Sequence, residues 1–162
     1  MGSGKRLWMM AAVIFSGLAI FIPGAQAEPI DMVNCSSGTT NVLMATEELT
    51  IFTTELKGIT RDSLESKVFE NYTYHCVGLI KVVGGKPSAT TNCKFMAPNE
   101  EYFVVEASYA GGEGDWKFIY GTGKWKGVTG GGKTKPITSG KPITPGTSQG
   151  CNRVTGTYDL KK

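Results

Sequence analysis

The chain has 162 residues, with 17 lysines and arginines against 14 acidic residues, four cysteines and 22 glycines. This length accommodates one ordinary domain and is too short for two. The formal net charge of +3 is too small for binding to polyanions through charge alone, so nucleic acid is not an expected partner.

The first 27 residues have the pattern of a secretory signal peptide. Lys5 and Arg6 precede an apolar run over residues 7–22, and Ala25-Gln26-Ala27 offers small residues for cleavage. A membrane anchor is the alternative reading, because this run is close to the shortest that crosses a bilayer. We expect a signal-peptide helix, cleavage after Ala27, and a periplasmic or secreted protein that retains 15 basic and 14 acidic residues.

The remaining chain has the composition of an all-β domain. Residues 28–40 are polar and are predicted as an irregular lead-in, which leaves 41–162 as the folded domain. Strand patterns then follow around residues 49–53, 61–83, 86–96, 101–109, 116–120 and 154–160. Short alternating runs separated by glycine, proline and asparagine turns predict an antiparallel barrel or sandwich.

One hairpin can be placed in register. If Gly84-Gly85 is a two-residue primed turn, Cys76 lies opposite Cys93 at a non-hydrogen-bonded position. The two Cα atoms would then be about 4.5 Å apart, within the disulfide range. The register therefore predicts the pair Cys76–Cys93 and, by elimination, Cys35–Cys151, one of the three pairings that four cysteines allow.

Alternation along these strands sorts the side chains into an inner and an outer face. Most of the aromatic residues fall on the face that would line a barrel interior. An eight-stranded barrel has just enough room for side chains or for one small ligand. The candidate ligand-binding residues are Tyr72, Tyr74, Phe95, Phe103, Trp116, Phe118 and Tyr120.

Three other features are interpreted as structural. Gly127–Thr134 matches the phosphate-binding pattern GxxxxGK[ST], but Lys135-Pro136 follows where that motif needs a helix, so no nucleotide is expected. His75 is the only histidine, lies on the outer face and has no predicted ligand partners, so no metal site is expected. The lysines between residues 117 and 141 suit a solubilising rim.

The segment Ile119–Gly130 resembles the glycine-rich element of the allene oxide cyclase/dirigent barrel superfamily. Tyr120 stands at its first glycine and Trp125 at its usual phenylalanine or tyrosine. The pair His75-Cys76 and the stretch from Cys151 to Tyr158 are similar to small exported bacterial members. Over residues 40–160 the resemblance implies a single antiparallel barrel of about eight strands, of the calycin or dirigent-like type. No active-site position of the plant enzymes matches.

Three functions remain open at this point. The first is an exported, disulfide-bonded barrel that binds a small apolar ligand or a partner in the cell envelope. The second is a cofactor-free cyclase or isomerase that acts on a small hydrophobic substrate, with catalytic residues unknown. The third is a purely structural envelope protein with a filled barrel. No cofactor is expected, and a homo-oligomer is compatible with each of the three.

Overall fold

Eight antiparallel strands form a closed barrel in which each strand pairs with the next and β8 returns to β1. The computed structural model describes residues 27–161. The strands are β1 (Glu28–Ala45), β2 (Leu49–Asp62), β3 (Thr73–Val83), β4 (Lys86–Met96), β5 (Tyr102–Ala110), β6 (Glu113–Gly121), β7 (Thr129–Gly140) and β8 (Thr147–Asp159). The predicted all-β barrel of about eight strands is thereby confirmed.

The predicted signal peptide lies outside the described residues, apart from Ala27, which is exposed. Within residues 27–161, no helix has the length and apolar character needed to cross a membrane.

The predicted irregular lead-in at residues 28–40 is wrong, because these residues form most of β1. They pair with β8 on one side and, from Met32 onward, with β2 on the other. Inward positions start with buried Ile30 and Met32 and continue with Asn34, Ser36 and Thr40. Polar residues at these inward positions hide the apolar alternation by which a strand is usually recognised.

The hairpin of β3 and β4 has the predicted register. Gly84 and Gly85 have φ values of +53° and +76°, as a type I′ turn requires at both central positions. Cys76 therefore pairs with Cys93 across the ladder, with their Cα atoms 4.0 Å apart.

Both predicted disulfides are formed, and they face opposite sides of the wall. Cys76–Cys93, here called the inner disulfide, is buried and lines the barrel interior. Cys35–Cys151, the outer disulfide, joins β1 to β8. Cys35 follows Asn34 and Cys151 precedes Asn152, and because both asparagines point inward, the two cysteines lie on the outer face. The outer disulfide thus secures the seam at which the first and last strands close the barrel.

Aromatic packing closes one end of the barrel. The base cluster consists of Phe69, Tyr72, Trp125 and Tyr158, all buried. Trp125 is supplied by a short 3-10 turn (Gly123–Trp125) between β6 and β7 and is fully buried. Its ring centroid lies 5.4 Å from that of Phe69 and 5.5 Å from that of Tyr158, and its indole N–H donates to the Tyr72 hydroxyl oxygen at 3.2 Å.

Phe69 reaches the base cluster because the chain leaves the sheet between β2 and β3. Sequence alternation predicted a continuous strand from residue 61 to 83, which is wrong for 63–72. The buried Asp62 carboxylate accepts hydrogen bonds from the backbone N–H groups of Leu64 at 2.8 Å and Phe69 at 2.9 Å. These bonds hold the connection folded inward over the end of the barrel.

A β-bulge in β6 overturns one predicted site residue. Val105 pairs with Phe118 but Val104 pairs with Tyr120, so Ile119 is an extra residue in the ladder. An extra residue reverses the alternation beyond it. Tyr120 is therefore 56% exposed and packs on the outer face beside Tyr102, with ring centroids 6.0 Å apart.

The segment that matches the phosphate-binding pattern lies in a strand. Residues 129–134 open β7 and pair with β8, and residues 131–134 pair with β6 as well, so the loop-to-helix geometry of a phosphate site is not formed there. Of the nearby lysines, Lys117, Lys133 and Lys135 form ion pairs with acidic side chains of β5 and β6. His75 is on the outer face, 2.9 Å from a Glu55 carboxylate oxygen.

Candidate functional site

The two ends of the barrel differ in how completely side chains fill them. At the end that carries the base cluster, the inward residues of β1 are 3% exposed at Ile30 and Met32. Further along the same strand, inward Ser36 and Thr40 are only half-buried. The interior therefore loosens toward the end that carries the β1–β2, β3–β4, β5–β6 and β7–β8 connections, here called the open end.

Between the base cluster and the open end lies a cavity of about 400 Å³. This volume falls within the range of small-molecule sites in proteins. Five of the seven predicted ligand-binding residues line it, namely Tyr74, Phe95, Phe103, Trp116 and Phe118. The other two do not, because Tyr72 packs in the base cluster and Tyr120 is outside the barrel.

Three aromatic side chains lie along the wall and leave the interior hollow. A Cβ at position 58 would be 2.7 Å from Cζ of Tyr74, and one at position 114 would be 2.7 Å from Cδ1 of Tyr109. Because Gly58 and Gly114 have no side chains, the rings of Tyr74 and Tyr109 can lie flat against these positions of the neighbouring strands. The Trp116 indole N–H donates to backbone carbonyls of β7 and β8, both at 3.2 Å, so its ring also follows the wall.

The cavity has one polar and one apolar wall. Of the eight asparagine, serine and threonine side chains that line it, seven belong to the adjacent strands β7, β8, β1 and β2. The polar side chains of this wall, here called the polar wall, are Asn34, Ser36, Thr40, Thr54, Thr134, Ser148 and Asn152, and the same four strands also contribute the apolar Ile30, Met32, Phe52, Leu56 and Val154. The apolar wall, on β4 to β6, includes Phe95, Val105, Ala107 and Phe118, and its polar groups include the Thr91 hydroxyl and the Tyr109 phenol.

Asn34 is the most unusual residue of the polar wall. It is 7% exposed, and its side-chain oxygen has no hydrogen-bond partner in the described part of the chain. It pairs across the β1–β8 ladder with Asn152, which lines the same cavity. Two amide groups thus stand next to each other on adjacent strands.

Among the described residues that line the cavity, none carries a formal charge at neutral pH. The titratable groups there are the phenols of Tyr74 and Tyr109. Burial raises the pKa of both, and hydrogen bonds with Ser36 and Thr134 oppose that shift to a smaller extent. Both phenols are therefore neutral hydrogen-bonding groups under physiological conditions.

Most residues of the polar wall, and one residue of the cavity floor, were not predicted from the sequence. Asn34 and Ser36 were assigned to the lead-in, and Phe69, which contributes to the cavity floor, was placed in a continuous strand. The alternation of Ile30, Met32, Asn34 and Ser36 was the available signal. It is visible only when polar residues are allowed on an inner face.

No protein-family model and no curated protein matches this chain. Solved structures do match it, and one of them is the pterocarpan synthase dirigent protein GePTS1, at 9% sequence identity with a TM-score of 0.50. The match covers 84% of this chain and 94% of that one. The barrel is therefore of the dirigent-like type, as the glycine-rich element had implied, and the likeness concerns the fold.

Proposed function

We propose that the protein is an exported binding barrel that holds one small, mostly apolar molecule in its interior. The observation that carries this proposal is the hollow, uncharged cavity of about 400 Å³. Burial of an apolar molecule there would remove that molecule and the aromatic wall from water, the main driving force for such binding.

Binding is favoured over cyclase or isomerase chemistry by the absence of charge in the described lining. General acid–base catalysis needs a group whose pKa lies near the working pH. The Tyr74 and Tyr109 phenols have pKa values raised from an already high starting point, so they remain protonated and cannot serve as bases. A filled structural barrel is disfavoured by the cavity itself.

Export is supported by the two disulfides, since such bonds persist in oxidising compartments. The first strand begins at Glu28, immediately after the predicted cleavage site. Removal of residues 1–27 would leave every strand of the barrel intact. An exported form whose intact mass begins at Glu28 is expected, and an exported form that keeps residues 1–27 would show that the segment is an anchor.

The binding proposal is tested with N-phenyl-1-naphthylamine, a neutral probe that becomes fluorescent in apolar surroundings. We expect saturable binding at one site per chain. Ala107→Trp, which places a large ring in the cavity, should abolish it. The matched control Ser108→Trp adds the same ring at the next, exposed position of β5 and should leave binding unchanged. Absence of saturable binding, or equal binding by both variants, would contradict the proposal.

A further inference from the structure

We propose that the ligand of this cavity is uncharged and carries a hydrogen-bonding group on one edge, which pairs with Asn34 and Asn152. This inference rests on the proposed function and adds the chemical class of the ligand. It follows from the division of the cavity into a polar and an apolar wall and from the unpaired amide oxygen of Asn34.

The buried side-chain oxygen of Asn34 lowers the stability of the fold when it makes no hydrogen bond. A buried polar atom that makes no hydrogen bond loses its contact with water without compensation, whereas leucine has the same branching and would avoid that loss. Asn34 is buried and its oxygen is unpaired in the described chain. A hydrogen-bond donor brought by a ligand would satisfy it. Rotation about the Cβ–Cγ bond exchanges the amide oxygen and nitrogen, so an acceptor would also be recognised.

Asn152 extends this site to the neighbouring strand. It lies opposite Asn34 in the β1–β8 ladder and lines the same cavity. Side chains of directly opposite residues are close enough to contact one group together. Two adjacent amides provide both donors and acceptors, which suits a hydroxyl, a carbonyl or a carboxamide.

Charge is excluded by the rest of the lining. No acidic or basic side chain within the described lining could neutralise a carboxylate or an ammonium group. Transfer of an unpaired charge from water into such a site is strongly unfavourable. The apolar wall opposite, with Phe95, Val105 and Phe118, favours a ligand whose remainder is mostly hydrocarbon.

Three probes with one carbon skeleton separate these requirements: naphthalene, 2-naphthol and 2-naphthoate, with affinities measured by calorimetry. We expect 2-naphthol to bind about three- to tenfold more tightly than naphthalene, the effect of one net hydrogen bond. We expect 2-naphthoate to bind at least about tenfold more weakly than 2-naphthol.

Two variants locate the hydrogen bond. In Asn34→Leu the preference for 2-naphthol over naphthalene should disappear while naphthalene binding persists. Urea denaturation should show stability equal to or above that of the parent chain. Thr91→Val removes a buried hydroxyl from the apolar wall and should preserve the preference. If Asn34→Leu fails to fold, Asn34 has a structural role and is not part of the ligand site. The preference for 2-naphthol is then measured in Asn152→Leu, where it should disappear.

The outcomes distinguish the two proposals. Equal affinity for all three probes, tight binding of 2-naphthoate, or an intact preference in Asn34→Leu and Asn152→Leu would overturn this inference and leave the binding function standing. Absence of binding by all three probes and by N-phenyl-1-naphthylamine would overturn both.

Discussion

Substitution of Ala107 by leucine tests whether the barrel is hollow, because the two alternatives predict opposite signs. Ala107 is buried on β5, lines the cavity, and lies between Thr91 of β4 and Trp116 of β6 in the ladder. Leucine adds three carbon atoms that would enter the cavity. At about 0.8 kcal/mol for each buried methylene, the largest gain is about 2.4 kcal/mol.

Part of that gain is lost because the cavity loosens toward the open end and because the leucine side chain is ordered. We therefore expect Ala107→Leu to raise the free energy of unfolding by about 1–2 kcal/mol. In a filled barrel the same three carbons would overpack the interior and lower it by about 1–3 kcal/mol.

The assay is urea denaturation followed by far-ultraviolet circular dichroism, with the disulfides oxidised. Ser108→Leu is the matched control, because residue 108 is exposed on the same strand. Its effect should stay within about 0.5 kcal/mol. A stability loss for Ala107→Leu of 1 kcal/mol or more, with Ser108→Leu neutral, would refute the hollow interior.

Three further predictions follow from contacts along the barrel wall. Replacement of the outer disulfide by alanines should cost about 5 kcal/mol and of the inner one about 3 kcal/mol, because they close separations of 116 and 17 residues; a larger loss for the inner pair, in urea denaturation, would contradict the chain-entropy argument. The hydrogen-bonded Arg153 guanidinium lowers the pKa of Asp31. The ion pair therefore stabilises the fold at pH values above the unfolded pKa of Asp31, near 3.9, and this stabilisation is lost as the pH falls through the folded pKa. Asp31→Asn should therefore flatten the acid limb of the stability profile, and an unchanged limb would refute the role of this pair. Burial and a hydrogen bond with Glu28 raise the pKa of Tyr158, so stability should fall above about pH 10, less steeply in Tyr158→Phe; equal slopes would contradict this.

The β3–β4 hairpin could be predicted from sequence because several local signals agree there. Two glycines select a primed turn, and that turn places Cys76 opposite Cys93. The same counting failed at Tyr120, because the extra residue Ile119 reverses the alternation. A bulge depends on how neighbouring strands curve in the barrel, and no local pattern at Ile119 marks it.

The first strand could not be recognised for a reason connected with the cavity. Its inward residues change from apolar Ile30 and Met32 to polar Asn34 and Ser36 along the wall of the cavity, which all four line. A strand that lines a polar cavity wall lacks the alternation of a strand that packs against a core. The sequence placed Trp125 in the glycine-rich element but did not predict its burial in the core. A 3-10 turn, which strand alternation does not reveal, directs its ring inward.

Binding of a small neutral molecule inside the barrel can be followed by methyl NMR during titration with 2-naphthol. Ala89, Ala107, Val105 and Val154 line the cavity, whereas Val77, Leu79 and Ile119 are exposed. If the ligand binds in the cavity, we expect saturable shift changes at the first group and unchanged signals at the second. Changes confined to the exposed methyl groups, or no saturable change at any methyl group, would contradict it.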